Sequence, residues 1–133
     1  LDVGERRIGV SSSDPTGIVI TPLAVVQRTT VEADLKAVVG IAEAREVSTI
    51  VVGLPISLNG TLGPQARLVR RFIRELARVS PVPVHSQDER FSTVEAERLL
   101  HQGGHQPSRE KGLRDSASAC VILQAYLDAK RHA

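Results

Sequence analysis

The sequence predicts an α/β fold: a mixed sheet covered on both faces by helices. Three observations predict it. The first 28 residues hold three apolar stretches separated by turn residues, the composition of an antiparallel meander. Residues 49–54, Thr-Ile-Val-Val-Gly-Leu, form a short continuous apolar run, as in a strand of a parallel sheet buried on both faces. Beyond residue 30, segments of helical period alternate with strand-like ones, the order that builds crossover helices onto such a sheet.

Leu1 to Val10 reads as a hairpin, with Gly4 and Gly9 bracketing a charged turn and apolar alternation resuming at Ile8 and Val10. Arg7 to Ser12 is its second strand. After the turn Asp14-Pro15-Thr16-Gly17, Ile18 to Arg28 is a third, bulged or placed at an edge because Pro22 interrupts it. Thr30 caps a helix carrying Val31, Leu35, Val38, Val39 and Ala42 at helical spacing. The strand Ser48–Leu54 follows, then a loop marked by Asn59-Gly60 and Gly63-Pro64. A second helix runs from about Gln65 to Val79, with Ala66, Val69, Ile73, Leu76 and Ala77 on its apolar face and Arg67, Arg70, Arg71, Arg74 and Arg78 on the remainder. Pro81 to Gln87 is a last short strand. Ser92 and Glu95 form a capping box for a third helix with Val94, Ala96, Leu99 and Leu100, ending at Gly103-Gly104. His105 to Gly112 is expected to be a mobile basic loop, and Leu113 to Lys130 a final helix, apolar over most of its circumference and therefore packed on the sheet.

At 133 residues the chain is one domain, 1–133, able to bury roughly 65–70% of its unfolded surface. A net charge of +2 with a pI near 9.1 permits nucleic-acid binding without demanding it. With Phe72, Phe91 and Tyr126 as its aromatic residues and no Trp, the chain is poorly equipped to bind single strands by base stacking. Cys120 is the lone cysteine, read as a small buried apolar residue; no internal disulfide can form, which suits the cytoplasm. No stretch has the length of a membrane span and there is no signal peptide. The chain opens on Leu1, already in strand-like sequence and without an initiator Met, so its natural N-terminus is expected to have been trimmed or not to be represented.

Asp2 lies at the apolar centre of the first strand, where acids are disfavoured and an unpartnered carboxylate is costly. Glu89 follows the last strand and Asp115 opens the last helix. Three carboxylates so distributed suit two Mg²⁺ or Mn²⁺ ions, hard cations that take oxygen ligands and cleave phosphodiesters in pairs. Plainer readings exist: Asp115 favouring its helix dipole, Glu89 pairing with Arg90 or Arg6, and Asp88 as a rival to Glu89. Asp14 is a turn residue. His101 and His105 have zinc-like spacing, but Gly103 and Gly104 break the helix needed to align them. Arg6, Arg7, Arg90, Arg109, Lys111 and Arg114 flank the acids and are candidates to hold backbone phosphates. For the arginines of the second helix a solvated polar face is the better reading.

Through LDVGERRIGV at 1–10, VVGLP at 51–55, DERFSTVEAERLL at 88–100 and RDSASACVILQAYLD at 114–128, the chain resembles the YqgF (RuvX) family. The resemblance spans essentially the whole chain. It implies a ribonuclease H-like fold, with a mixed five-stranded sheet (an antiparallel three-strand meander plus two parallel strands) and about four helices. It also implies a metal-dependent nuclease centre on Asp2, Glu89 and Asp115, and favours Glu89 over Asp88. The implied substrate is the 5′ end of precursor 16S rRNA, in ribosome biogenesis, or alternatively a Holliday junction. Ser116 and Ser118, and a basic loop poorer in Lys, depart from the family pattern. The partner is then structured RNA or branched DNA and the protein a monomer or a homodimer, since a two-fold symmetric junction calls for two active sites. Two other classes compete. An actin-like sugar kinase or ATPase also carries Asp-x-Gly, but clamps nucleotide between two domains. A non-catalytic nucleic-acid-binding module would not need all three acids.

Overall fold

The computed structural model describes residues 1–57, 59–88 and 107–131, the side chains of 107–115 excepted. Its elements run β1 (Asp2–Val3), β2 (Arg7–Ser13), β3 (Ile20–Gln27), α1 (Val31–Ala44), β4 (Ile50–Leu54), α2 (Pro64–Val79), β5 (Val84–Asp88) and α3 (Pro107–Arg131). The capping box at Ser92 and Glu95, the helix it opens, and His101 and His105 lie outside the described residues.

β1, β2 and β3 pair in that order as an antiparallel sheet, and β4 pairs with β5 in parallel, Ile50 with Val84 through Leu54 with Asp88. The first residue ties the two groups together: the Leu1 nitrogen donates to the Val51 carbonyl at 2.6 Å, and the Gly53 N–H donates to the Leu1 carbonyl at 2.9 Å. In β3 the expected irregularity is a bulge. Val10 pairs with Ala24 but Ser11 with Pro22, leaving Leu23 as the extra residue of an edge strand that tolerates a proline.

Thr30 does cap α1, its hydroxyl accepting the Ala33 N–H at 3.1 Å. At the other end the chain leaves α1 through Glu46 at φ 51, with the Val47 N–H reaching back to the Ala42 carbonyl at 3.2 Å, a Schellman-type close with glutamate where glycine is usual.

Three sequence expectations need correction. β3 starts at Ile20 rather than Ile18, because the Asp14 carboxylate takes the N–H groups of Ile18 and Val19, leaving those side chains 70% and 58% exposed. The apolar stripe of α2 gains Phe72, buried with Ala66, Val69 and Leu76 while Ile73 packs half-buried beside them, whereas Ala77 is exposed. Finally, α3 starts six residues before Leu113, so 107–112 is helix rather than loop: Pro107 loses nothing in a first turn, and Arg109, Glu110 and Lys111 are good helix formers.

The strand alternation sorts side chains between two layers. Val3, Ile8, Val10, Ile50 and Val52 form one core with Leu35, Val38 and Ala42 of α1 and Val69, Phe72 and Leu76 of α2. The opposite face lies under α3, which crosses mainly β2 and β3 and also reaches β1, β4 and β5. Ser116, Ser118, Ala119, Val121 and Ile122 of α3 are buried, and the Tyr126 ring sits 6.0 Å from His85 of β5. Ser116 and Ser118 are thus small packing residues, which permit a close helix–sheet approach.

Candidate active site

Asp2 is half-buried on β1 and alternates with Val3 of the α1/α2 core, so it belongs to the face covered by α3. Its antiparallel partner is Gly9. On its other side the hydrogen bonds of Leu1 to β4 bring Gly53 alongside. Neither neighbour carries a side chain. Its carboxylate is an oxygen donor of the type that Mg²⁺ and Mn²⁺ prefer.

Arg7 stands two positions before Gly9 on β2 and so shares that face, half-buried, while Arg6 is exposed in the turn. The turn itself is tight. The Gly4 N–H donates to the Arg7 carbonyl at 2.8 Å, and a Cβ on Gly4 would lie 3.0 Å from that oxygen. Gln65, in the first turn of α2, donates to the Val3 carbonyl at 3.4 Å, a weak contact that sets the start of α2 beside the end of β1.

Behind the turn stands an arrangement that sequence reasoning missed. Arg28 donates from Nε to Asp34 Oδ2 at 3.0 Å and from a terminal nitrogen to the Gly4 carbonyl at 2.8 Å, with its guanidinium 5.4 Å from the Phe72 ring centre. The Thr29 N–H supplies the other Asp34 oxygen at 3.0 Å, and the Arg28 N–H binds the Arg6 carbonyl at 2.8 Å. Asp34 is 2% exposed. An acid four residues after a Thr cap, preceded by an arginine at the strand end, was the available signal; nothing in its spacing told a buried partner from a solvated one.

Of the three expected acids, Asp2 alone has a described side chain. Glu89 and Arg90 lie outside the described residues. Asp115 lies on α3 with Arg109, Lys111 and Arg114, their side chains also outside them. Among the described residues no three acidic, histidine or cysteine side chains gather as a metal cluster. The position of Asp115 corrects one reading: it stands eight residues past Pro107 rather than in the first turn, beyond the reach of the helix dipole. Asp88 pairs with Leu54, which packs on the α1/α2 core, so it shares that face and not the face of Asp2. A cavity of about 550 Å³ lies towards the other end of the strands, lined among others by Ser12, Thr49, Glu46 and Lys130; Asp2 does not line it. Cys120 is half-buried, and that burial pushes the thiol pKa up, partly offset by the neighbouring Ser11 hydroxyl. No helix among the described residues is long and apolar enough to cross a membrane.

Comparison with known proteins bears on this geometry. The family described as RuvX, Holliday junction resolvase, matches residues 1–129. Curated relatives bearing the name "Putative pre-16S rRNA nuclease" include those of Trichormus variabilis, 43% identical over 98% of this chain and 87% of the relative, and Gloeobacter violaceus, 44% identical over 98% and 83%. A third, from Roseiflexus sp., is 40% identical over 98% and 93%.

Proposed function

The chain belongs to the RuvX family, and from that premise we propose that it is a divalent-metal-dependent nuclease acting on the 5′ end of precursor 16S rRNA. The observation that carries the reading is Asp2, an acid set inside the sheet on the α3 face between Gly9 and Gly53. In this reading Asp2, Glu89 and Asp115 hold the metal ions. The bound ions supply activation of water and stabilisation of the leaving oxygen. The protein's own part is positional. Asp2 presents its oxygens from a strand pinned on both sides, and Arg6 and Arg7, on a turn fastened by Arg28, orient the phosphates flanking the scissile one. Arg90, Arg109, Lys111 and Arg114 extend the same basic rim.

The same reading treats residues 1–133 as one ribonuclease H-like domain. The hydrogen bonds of Leu1 to Val51 and Gly53 have the pattern of a parallel bridge, which supports one mixed sheet in the order β3-β2-β1-β4-β5. A cytoplasmic location follows from the substrate. The experiment offers purified protein a labelled 16S-precursor 5′ end and a four-way DNA junction with Mg²⁺ or Mn²⁺, with Asp2→Asn as control. Metal-dependent cleavage of the RNA, lost in Asp2→Asn, is expected. Paired symmetric nicks in the junction alone would instead assign the activity in the family's description. Full activity in Asp2→Asn would sink the nuclease centre.

A further inference from the structure

The exposed face of α2 carries Arg67, Arg70, Arg71, Arg74 and Arg78, all solvent-exposed. Arg67, Arg71, Arg74 and Arg78 follow the 4-3-4 spacing of a single helical stripe, with Arg70 beside it. At 1.5 Å rise per residue the stripe is about 16 Å long. Glu75 is the helix's one acid, 3.8 Å from Arg78; no ion pair engages the other four among the described residues. A merely solvated helix face normally interleaves both signs. The neighbouring helix α1 does so, with Glu32, Lys36 and Glu43 outside its core positions. The charge is thus segregated onto α2 and not spread over that side of the protein.

Its placement adds a direction. Gln65 touches the carbonyl of Val3, the residue after Asp2, so α2 starts beside the end of β1, on the sheet face opposite that of Asp2, and the stripe leads away from that end. Phe72, the aromatic residue of α2, is buried beneath the arginines at 3% exposure, so the stripe offers no stacking platform for single-stranded bases. Fork-shaped donors without aromatics suit a phosphate backbone read by charge and shape, as in a duplex.

We propose that the α2 arginine stripe is a second binding surface, which holds the phosphate backbone of a double-stranded RNA stem flanking the cleavage point. The stem's identity rests on the nuclease reading above; the surface itself does not. The test measures binding of two RNA stems to Asp2→Asn protein across a range of KCl concentrations. One stem is long enough to reach α2 and one is confined to the site. In the Asp2→Asn background the combined change R67Q/R71Q/R74Q/R78Q is expected to weaken long-stem binding roughly 10- to 1,000-fold near 0.1 M salt. The slope of log affinity on log salt should become shallower by about one for each phosphate that the arginines no longer neutralise. Short-stem affinity should change less than about threefold. The corresponding four Arg→Lys changes should restore most of the slope, which separates missing charge from a damaged fold. An unaltered slope and affinity for the long stem would overturn the proposal. So would equal losses on both stems. If Asp2→Asn protein still cuts, the nuclease centre fails while the slope measurement stands on its own.

Discussion

Removing Arg28 should destabilise this protein more than removing Asp34, although the two residues share one ion pair. The asymmetry follows from burial: Asp34 is 2% exposed, whereas the Arg28 side chain keeps 21% of its surface. Arg28→Ala leaves the buried carboxylate with the Thr29 N–H alone, strips the Gly4 carbonyl of its donor and uncovers the Phe72 ring. Breaking a buried pair from this side costs about 3–5 kcal/mol. Asp34→Ala leaves no buried charge, only a guanidinium that can turn towards water and still bind Gly4, so its cost should fall below that range. An unfolding entropy near 2.1 cal/mol/K per residue over 133 residues gives about 0.28 kcal/mol per degree, hence a fall in Tm of roughly 11–18 °C for Arg28→Ala. Urea titrations of both single variants and of R28M/D34L supply the assay, with m-values checked for constancy. The double variant should cost less than the sum of the single losses by about 0.5–3 kcal/mol, because it leaves no orphaned charge. The reasoning is refuted if Asp34→Ala is the more harmful single change, or if Arg28→Ala costs under about 1 kcal/mol.

Other predictions rest on equally local observations. Glu46→Gly should stabilise the fold by about 0.5–1 kcal/mol in a urea titration, because a non-glycine residue at φ 51 is strained. The Thr16 hydroxyl, with the N–H groups of Val19 and Ile18, holds the Asp14 carboxyl below its ordinary value. Folding thus lowers this pKa, so its stabilising contribution is present above the unfolded aspartate value and is lost as pH falls through the lower folded one; carboxyl NMR titration should show the depressed value, and Thr16→Val should raise it. Burial raises the Cys120 thiol, so the folded chain keeps a proton that the unfolded chain loses, and stability falls as pH climbs through the unfolded thiol's range; alkylation should be slow in the native protein and speed up in urea. Asp88→Asn should retain the metal-dependent cleavage that Asp2→Asn loses, measured on the same RNA, since Asp88 sits with Leu54 on the other face.

What the sequence disclosed tracks the range of each interaction. Period-two and period-3.6 patterns report burial directly, so β4, α1 and the body of α2 were legible, and Pro22 announced its own bulge. Boundaries governed by one side chain were not. Asp14 captures two backbone N–H groups and thereby delays β3, and nothing in the apolar residues at 18 and 19 signals that competition. The start of α3 was missed for a related reason, polar helix formers being read as loop because they lack an apolar stripe. The Arg28–Asp34 pair joins a strand end, a turn and two helices, and an interaction of that kind has no periodic trace.

The sorting of acids between faces ties the fold to the chemistry more closely than their positions in sequence do. A strand sends successive side chains to opposite sides, so a one-residue difference decides which helix layer an acid meets. Val3 and Leu54 fix the α1/α2 side through their packing, which leaves Asp2 on the side of α3 and Asp88 on the α1/α2 side. Asp88 therefore does not share the face of Asp2, while Glu89 lies outside the described residues. Asp115 belongs to α3, the helix on the Asp2 side, well past the turn where a helix dipole explains an acid. The role proposed for Asp2, set between Gly9 and Gly53 on the α3 face, therefore stands or falls with the Asp2→Asn measurement.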